Sequence, residues 1–144
     1  MLSISDPGAP DAPCPAPFNL AAHVLARGAA LPDKLALQIV RPTGAERWSY
    51  GRLIAAVRGA GSGLLALGLV PGDRVLLRLG NTPEFPVAFL GAIAAGLVPV
   101  PTSTQLTVPE ITAMAARIAP ALIIAADGIA LPEGMPCPVL PAAR

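Results

Sequence analysis

Leu53, Val57, Ala60, Leu64 and Leu67 recur at i, i+4, i+7, i+11 and i+14, one apolar stripe along a helix. Ser49 is placed to cap that helix and Gly68 to end it. A shorter helix is predicted to start behind Asn19, carry Leu20, Val24 and Leu25 on one face, and stop near Gly28. Between the two, Leu35 to Val40 reads as a strand, Pro42-Thr43-Gly44 as a turn, and Glu46-Arg47-Trp48 as the returning arm of a hairpin. Gly59, Gly61 and Gly63 each weaken the longer helix by up to ~1 kcal/mol relative to alanine, so close packing is the expected reason for them.

Further along, Pro71-Gly72 turns the chain into a strand over Arg74–Leu79. Thr82-Pro83 supplies a capping hydroxyl and then a proline at the first helical position, opening a helix that runs to about Ala95, with Gly96 after it. Leu97 to Val100 follows as a short strand. Thr107-Val108-Pro109-Glu110 has the spacing of a capping box, with Ile111, Met114, Ala115 and Ile118 on one face of the helix behind it. Ala121–Ala125 closes the series as a strand before an Asp127-Gly128 turn. Strand, helix, strand, helix, strand predicts an α/β fold with a parallel sheet. Its strands are apolar runs, as expected when both faces are covered. Residues 1–17 hold five prolines and read as a flexible lead, 18–127 as the folded part, and 128–144 as a Pro-rich tail with little pattern.

Charge narrows the partners. Ten Lys+Arg against nine Asp+Glu leave a net charge of +1, with no basic field to attract nucleic acid. A hydrophobic share of 53% excludes disorder throughout. No charge falls between Glu84 and Glu110, but Pro86, Pro99 and Pro101 bracket the apolar run. Its uninterrupted part is ~12 residues, or ~18 Å of helix against ~30 Å of hydrocarbon, so it predicts a core helix and no membrane span. Cys14 and Cys137 form neither a CxxC pair nor a disulfide framework, which points to a reducing cytoplasm. Met1 to Pro7 lacks the basic and apolar regions of a signal peptide.

Catalytic candidates are few. His23, the one histidine, lacks the partners of a zinc site and reads as a helix-surface residue. Ser62 in Ala60-Gly61-Ser62-Gly63-Leu64 misses the GxSxG elbow and reads as a small residue at a helix contact. Gly59-Ala60-Gly61-Ser62-Gly63-Leu64 lacks the third glycine of a dinucleotide loop and lies inside a helix. Lys34, the one lysine, follows no glycine-rich loop. Glu84 and Glu110 sit in first turns of helices, where the macrodipole favours a carboxylate. No residue is therefore assigned as catalytic, cofactor-binding or metal-ligating.

Three stretches are more specific than any of these. Trp48-Ser49-Tyr50-Gly51-Arg52-Leu53 resembles the early aromatic–Ser/Thr–Tyr–x–x–Leu motif of the adenylate-forming acyl-CoA synthetase (AMP-dependent synthetase/ligase) superfamily. Gly68-Leu69-Val70-Pro71-Gly72-Asp73-Arg74-Val75, followed by Asn81-Thr82-Pro83-Glu84-Phe85, resembles that family's Gly-Val-x-Pro-Gly-Asp-Arg-Val strand and Asn-x-x-Glu-Phe helix start. Leu90 to Pro101 resembles its Gly-Ala-x-x-Ala-Gly-x-Val-x-Val-Pro signature. The likeness covers about Phe18 to Ala126, and Thr82 to Ile93 is most similar to benzoate- and hydroxybenzoate-CoA ligases.

The resemblance implies the N-terminal part of the large domain of an acyl-CoA synthetase-like fold: parallel βαβ units with a small hairpin, incomplete as a domain. It implies an enzyme that uses ATP and Mg²⁺ to activate a carboxylic acid, aromatic acids foremost, as an acyl-adenylate and then passes the acyl group to coenzyme A. The family's phosphate loop, adenosine shelf and adenylation lysine lie downstream of the matched stretch. On that reading this portion binds no cofactor and is inactive alone, and its partner is the remainder of the ligase or another copy through an apolar surface. A non-catalytic interaction module built on the same fold is the alternative. Two departures matter. Some relatives place a basic residue near the nucleotide end of coenzyme A where Gln105 stands, so no ion pair with phosphate carries over. Arg52 replaces the family's usual acidic residue, removing a capping-box partner.

Overall fold

A computed structural model describes residues 16–142, so positions 1–15 of the lead expected over 1–17 lie outside the described residues. In chain order the elements are α1 (Leu20–Ala29), β1 (Leu35–Arg41), β2 (Gly44–Ser49), α2 (Tyr50–Ala66), β3 (Arg74–Arg78), α3 (Glu84–Ala94), β4 (Val98–Pro101), α4 (Val108–Ile118), β5 (Leu122–Ala125) and β6 (Val139–Pro141). β1 and β2 form an antiparallel hairpin. The other four make a parallel sheet in the order β4-β3-β5-β6.

Alternation along the strands divides the core in two. Val75, Leu77, Leu79, Leu122 and Ile124 face α2 and α3 and pack with Leu64, Ala88, Ala92 and Leu97. Leu76, Ile123 and Ala125 face the other way, against Ile111 and Ala115 of α4, with Met135 and Cys137 packed around them. Both faces of β3 and β5 are thus covered, which accounts for their unbroken apolar runs.

The predicted caps of α1 and α2 form: Asn19 Oδ1 accepts from Ala22 N at 3.1 Å and Ser49 Oγ from Arg52 N at 3.3 Å. Asn19 Nδ2 also donates to Ile93 O at 2.8 Å, tying α1 to the end of α3. At α4 the Glu110 carboxylate accepts from Thr107 N at 2.8 Å and Thr107 Oγ1 at 2.7 Å, and these bonds hold its pKa below the ordinary carboxylate value. The contribution is therefore complete above the unfolded pKa of about 4.3 and is lost as pH falls through the lowered folded value. Glu110→Gln should lower Tm at pH 7, with a smaller gap to wild type at about pH 3. Thermal melts at the two pH values check this, and a gap of equal size at both would contradict it.

Several expectations are corrected. Leu20 and Val24 of α1 are exposed, and the helix meets its neighbours through the buried Ala21 and Gly28. Small residues decide its facing: a Cβ on Gly28 would lie 2.0 Å from the Tyr50 ring. Leu67, the last residue of the α2 stripe, is also exposed. Of Gly59, Gly61 and Gly63 in α2 only Gly61 touches another helix; Gly59 and Gly63 have open space, and Ser62 faces solvent. Thr82 makes no side-chain cap, because Pro83 occupies the cap position of α3 and a backbone bond from Phe85 N to Thr82 O closes that turn.

β6 arises in the stretch expected to carry little pattern. Two apolar residues between Pro138 and Pro141 are too short to announce a strand, yet the prolines do not obstruct it. Ile123 N donates to Pro138 O at 3.0 Å and Ala142 N to Ala125 O at 2.8 Å, so the missing proline N–H groups are never asked for. β4 uses the same device at the opposite edge. Val98 N and Thr102 N reach β3 or the turn before it, while Pro99 and Pro101 take alternate positions along a strand that is at the sheet edge among the described residues.

Candidate functional site

The sheet order makes β3 the branch point: the chain leaves it through α3 to β4 on one side and returns through α4 to β5 on the other. In open α/β sheets ligands bind outside the carboxyl ends of strands at such a switch. Here the start of α3, Thr82 to Phe85, stands at those ends between two clefts. One, of about 380 Å³, is lined by Leu79, Gly80, Asn81 and Phe85 and by Thr102, Ser103, Thr104 and Gln105. The other, of about 620 Å³, lies between the hairpin and the sheet, lined by Arg41, Glu46, Trp48, Arg52, Thr82, Pro83, Glu84, Ala126 and Ala142.

Arg78, the last residue of β3, underlies the first cleft and is fully buried (0% exposed). Its guanidinium donates from Nε and Nη2 to Ala130 O at 3.0 and 2.8 Å, from Nη2 to Leu106 O at 3.2 Å, and from Nη1 to Thr102 Oγ1 at 3.5 Å and to Ser103 O. Thr102 Oγ1 in turn donates to Leu77 O at 3.0 Å, and Ser103 Oγ accepts from Gln105 N at 3.2 Å. Burial lowers the Arg78 pKa, but an arginine remains charged across the working range. The cleft wall is therefore neutral and rich in hydroxyl and amide groups, with one aromatic ring, above a buried cation. It can hydrogen-bond and stack, but it offers no nucleophile–base pair.

In the second cleft, Trp48 Nε1 donates to Glu46 Oε1 at 2.7 Å, and the Arg52 guanidinium lies 3.8 Å from the centre of the Trp48 ring. Arg52 Nη2 is 3.7 Å from Glu46 Oε1. The arginine that cannot serve a capping box thus reaches from α2 to form a stacked, ion-paired trio with two residues of the hairpin. These side chains are solvent-exposed enough that the pair contributes about 0–1 kcal/mol.

The catalytic candidates weighed on the sequence stay apart. His23 is on the exposed side of α1, its ring 5.4 Å from that of Phe18. Lys34 is exposed at the mouth of the hairpin, where its carbonyl accepts from Tyr50 N. Glu84 and Glu110 occupy first helical turns, on different helices. Burial pushes the Cys137 thiol up, away from the reactive thiolate. Among the described residues no group of three or more His, Cys, Asp or Glu could hold a metal ion, and no helix is long and apolar enough to cross a membrane. Sequence reading missed Arg78, although a signal existed: a charge at position 78 of a strand expected to be covered on both faces has nowhere to go but inside.

Comparison with known proteins places these features in context. Residues 25–140 match the family model described as AMP-binding enzyme. Over 73 residues the chain is 38% identical to a long-chain-fatty-acid–CoA ligase of Mycobacterium tuberculosis, covering 51% of this chain and 14% of the ligase. Over 62 residues it is 45% identical to a 4-hydroxybenzoate–CoA/benzoate–CoA ligase of Rhodopseudomonas palustris, covering 43% and 12%. The fold superposes on a benzoate CoA ligase from Burkholderia xenovorans with a TM-score of 0.77 and 32% identity, over 88% of this chain and 26% of that one. The matched stretch is therefore about an eighth of the length of these curated relatives.

Proposed function

We propose, from the premise that this chain belongs to the AMP-binding enzyme family, that it serves as the N-terminal scaffold of an ATP-dependent carboxylic acid–CoA ligase. The observation that carries this reading is the parallel β4-β3-β5 sheet with α3 and α4 as its crossovers, the part of the molecule that holds two of the three matched stretches. Adenylation needs groups that grip the phosphates and hold a metal ion. Two observations favour placing those groups in the rest of the ligase: the one lysine is exposed at the mouth of the hairpin, and among the described residues no group of three or more His, Cys, Asp or Glu could hold a metal ion. ATP, Mg²⁺ and coenzyme A are assigned to the complete enzyme, and no step of the reaction is placed on residues 16–142.

The acid is proposed to be aromatic. The likeness to benzoate ligases, in sequence and in fold, supports this, and the likeness to a long-chain ligase is the competing indication. A cytoplasmic setting belongs to the same proposal. The partner is taken to be the remainder of the ligase, docking on apolar surface that this chain leaves open. One cleft of about 510 Å³ between α2, α3 and β6 is lined by Leu64, Leu67, Val87, Ala88, Ile124 and Leu140 among others.

AMP release with an acid panel tests the reading. The ligase carrying this chain should turn over benzoate or a hydroxybenzoate faster than a long-chain fatty acid, and the 144-residue chain alone should release no pyrophosphate from ATP and benzoate. A preference for the fatty acid would overturn the aromatic assignment. Pyrophosphate above a heat-killed control from the chain alone would overturn the scaffold assignment.

A further inference from the structure

We propose that Arg78 is a positioning residue: its guanidinium sets the polar wall of the cleft between Leu79 and Gln105 by clamping the Thr102–Leu106 loop to the chain at Ala130. What the cleft binds rests on the ligase reading; the clamp does not. Val75, Leu76, Leu77 and Leu79 are all buried and apolar, so a leucine at 78 would pack without desolvating a charge. The position instead holds a planar fork whose three nitrogens all donate, to Ala130 O, Leu106 O, Ser103 O and Thr102 Oγ1. The acceptors are 24 to 52 residues away along the chain. Thr102 and Ser103 belong to the clamp and also line the cleft at the carboxyl ends of β3 and β4. The groups that would meet a ligand are therefore held from beneath by one side chain. Lysine keeps the charge and three donors, but from a single nitrogen it cannot span the four acceptors that the three guanidinium nitrogens reach.

Two variants, Arg78→Lys and Arg78→Met, test this in the 144-residue chain by amide hydrogen exchange. Exchange of Thr104–Leu106 and Ile129–Leu131 should quicken at least tenfold, with Leu76, Leu77 and Ile123 protected as in wild type. In the ligase carrying this chain, Arg78→Lys should raise KM for at least one of acid, ATP or coenzyme A fivefold or more while kcat stays within twofold. Loops that exchange as in wild type, or a loss confined to kcat, would overturn the proposal. So would a lysine variant that cannot fold, because Arg78 would then be a determinant of the fold alone. A wild-type protein without ligase activity would count against the ligase reading, and the exchange result would still decide the clamp.

Discussion

Replacing Gly91 with valine should destabilise the chain by about 3 kcal/mol or more, the upper part of the range for overpacking a core. α2 and α3 touch backbone to backbone where Gly61 and Gly91 meet. A Cβ on Gly91 would lie 2.7 Å from Ala60 Cβ and 3.2 Å from both Gly61 N and Val57 O, and a Cβ on Gly61 would lie 3.0 Å from Gly91 O. No flexible side chain is there to swing away, so the two helices must separate, and α3 would pull at Ala88 and Ala92 in the core beneath it. Gly63 supplies the contrast. It lies two residues further along α2 with nothing within 4 Å of its Cβ position, and Gly63→Ala should stabilise by about 0.5–1 kcal/mol. Urea denaturation of the three proteins side by side measures both effects. A Gly91→Val midpoint equal to wild type would mean that the helices do not meet as described.

The same pair of glycines shows how far the sequence could be read. Helix starts with a local mechanism were legible: Asn19, Ser49 and the Thr107–Glu110 box depend on residues within three positions of one another. The parallel crossovers were legible too, because apolar strands separated by helical stripes leave few topologies. Interactions that join distant segments were not. That Gly61 is the glycine of α2 that meets another helix depends on Gly91, 30 residues away. β6 borrows proline carbonyls that no local pattern marks. The burial of α1 on Ala21 and Gly28 reverses the face that larger residues suggested. The cleft was hidden for the same reason, since its lining comes from two loops joined through Arg78.

A larger effect is expected on activity. If residues 1–144 replace the matching segment of the Burkholderia xenovorans benzoate CoA ligase, which this chain resembles over 88% of its own length, the hybrid should make benzoyl-CoA. The physical basis is a division of labour. On the proposed reading this chain supplies the β3–α3–β4–α4–β5 layer and its clamp, and the rest of the ligase supplies the groups that grip ATP and shape the acid pocket. Substrate choice should then follow the donor: a hybrid with the remainder of a long-chain ligase should prefer a fatty acid. On the same reading the surface that must fit across the junction is the apolar cleft of α2, α3 and β6, whose lining includes the exposed Leu140.

Thioester formation by the folded benzoate hybrid is the measurement that bears most directly on the scaffold role. The hybrid should produce benzoyl-CoA from ATP, coenzyme A and benzoate, with an acid preference matching the intact donor. A hybrid that melts cooperatively yet forms no thioester, or whose acid preference changes with residues 1–144, would contradict it.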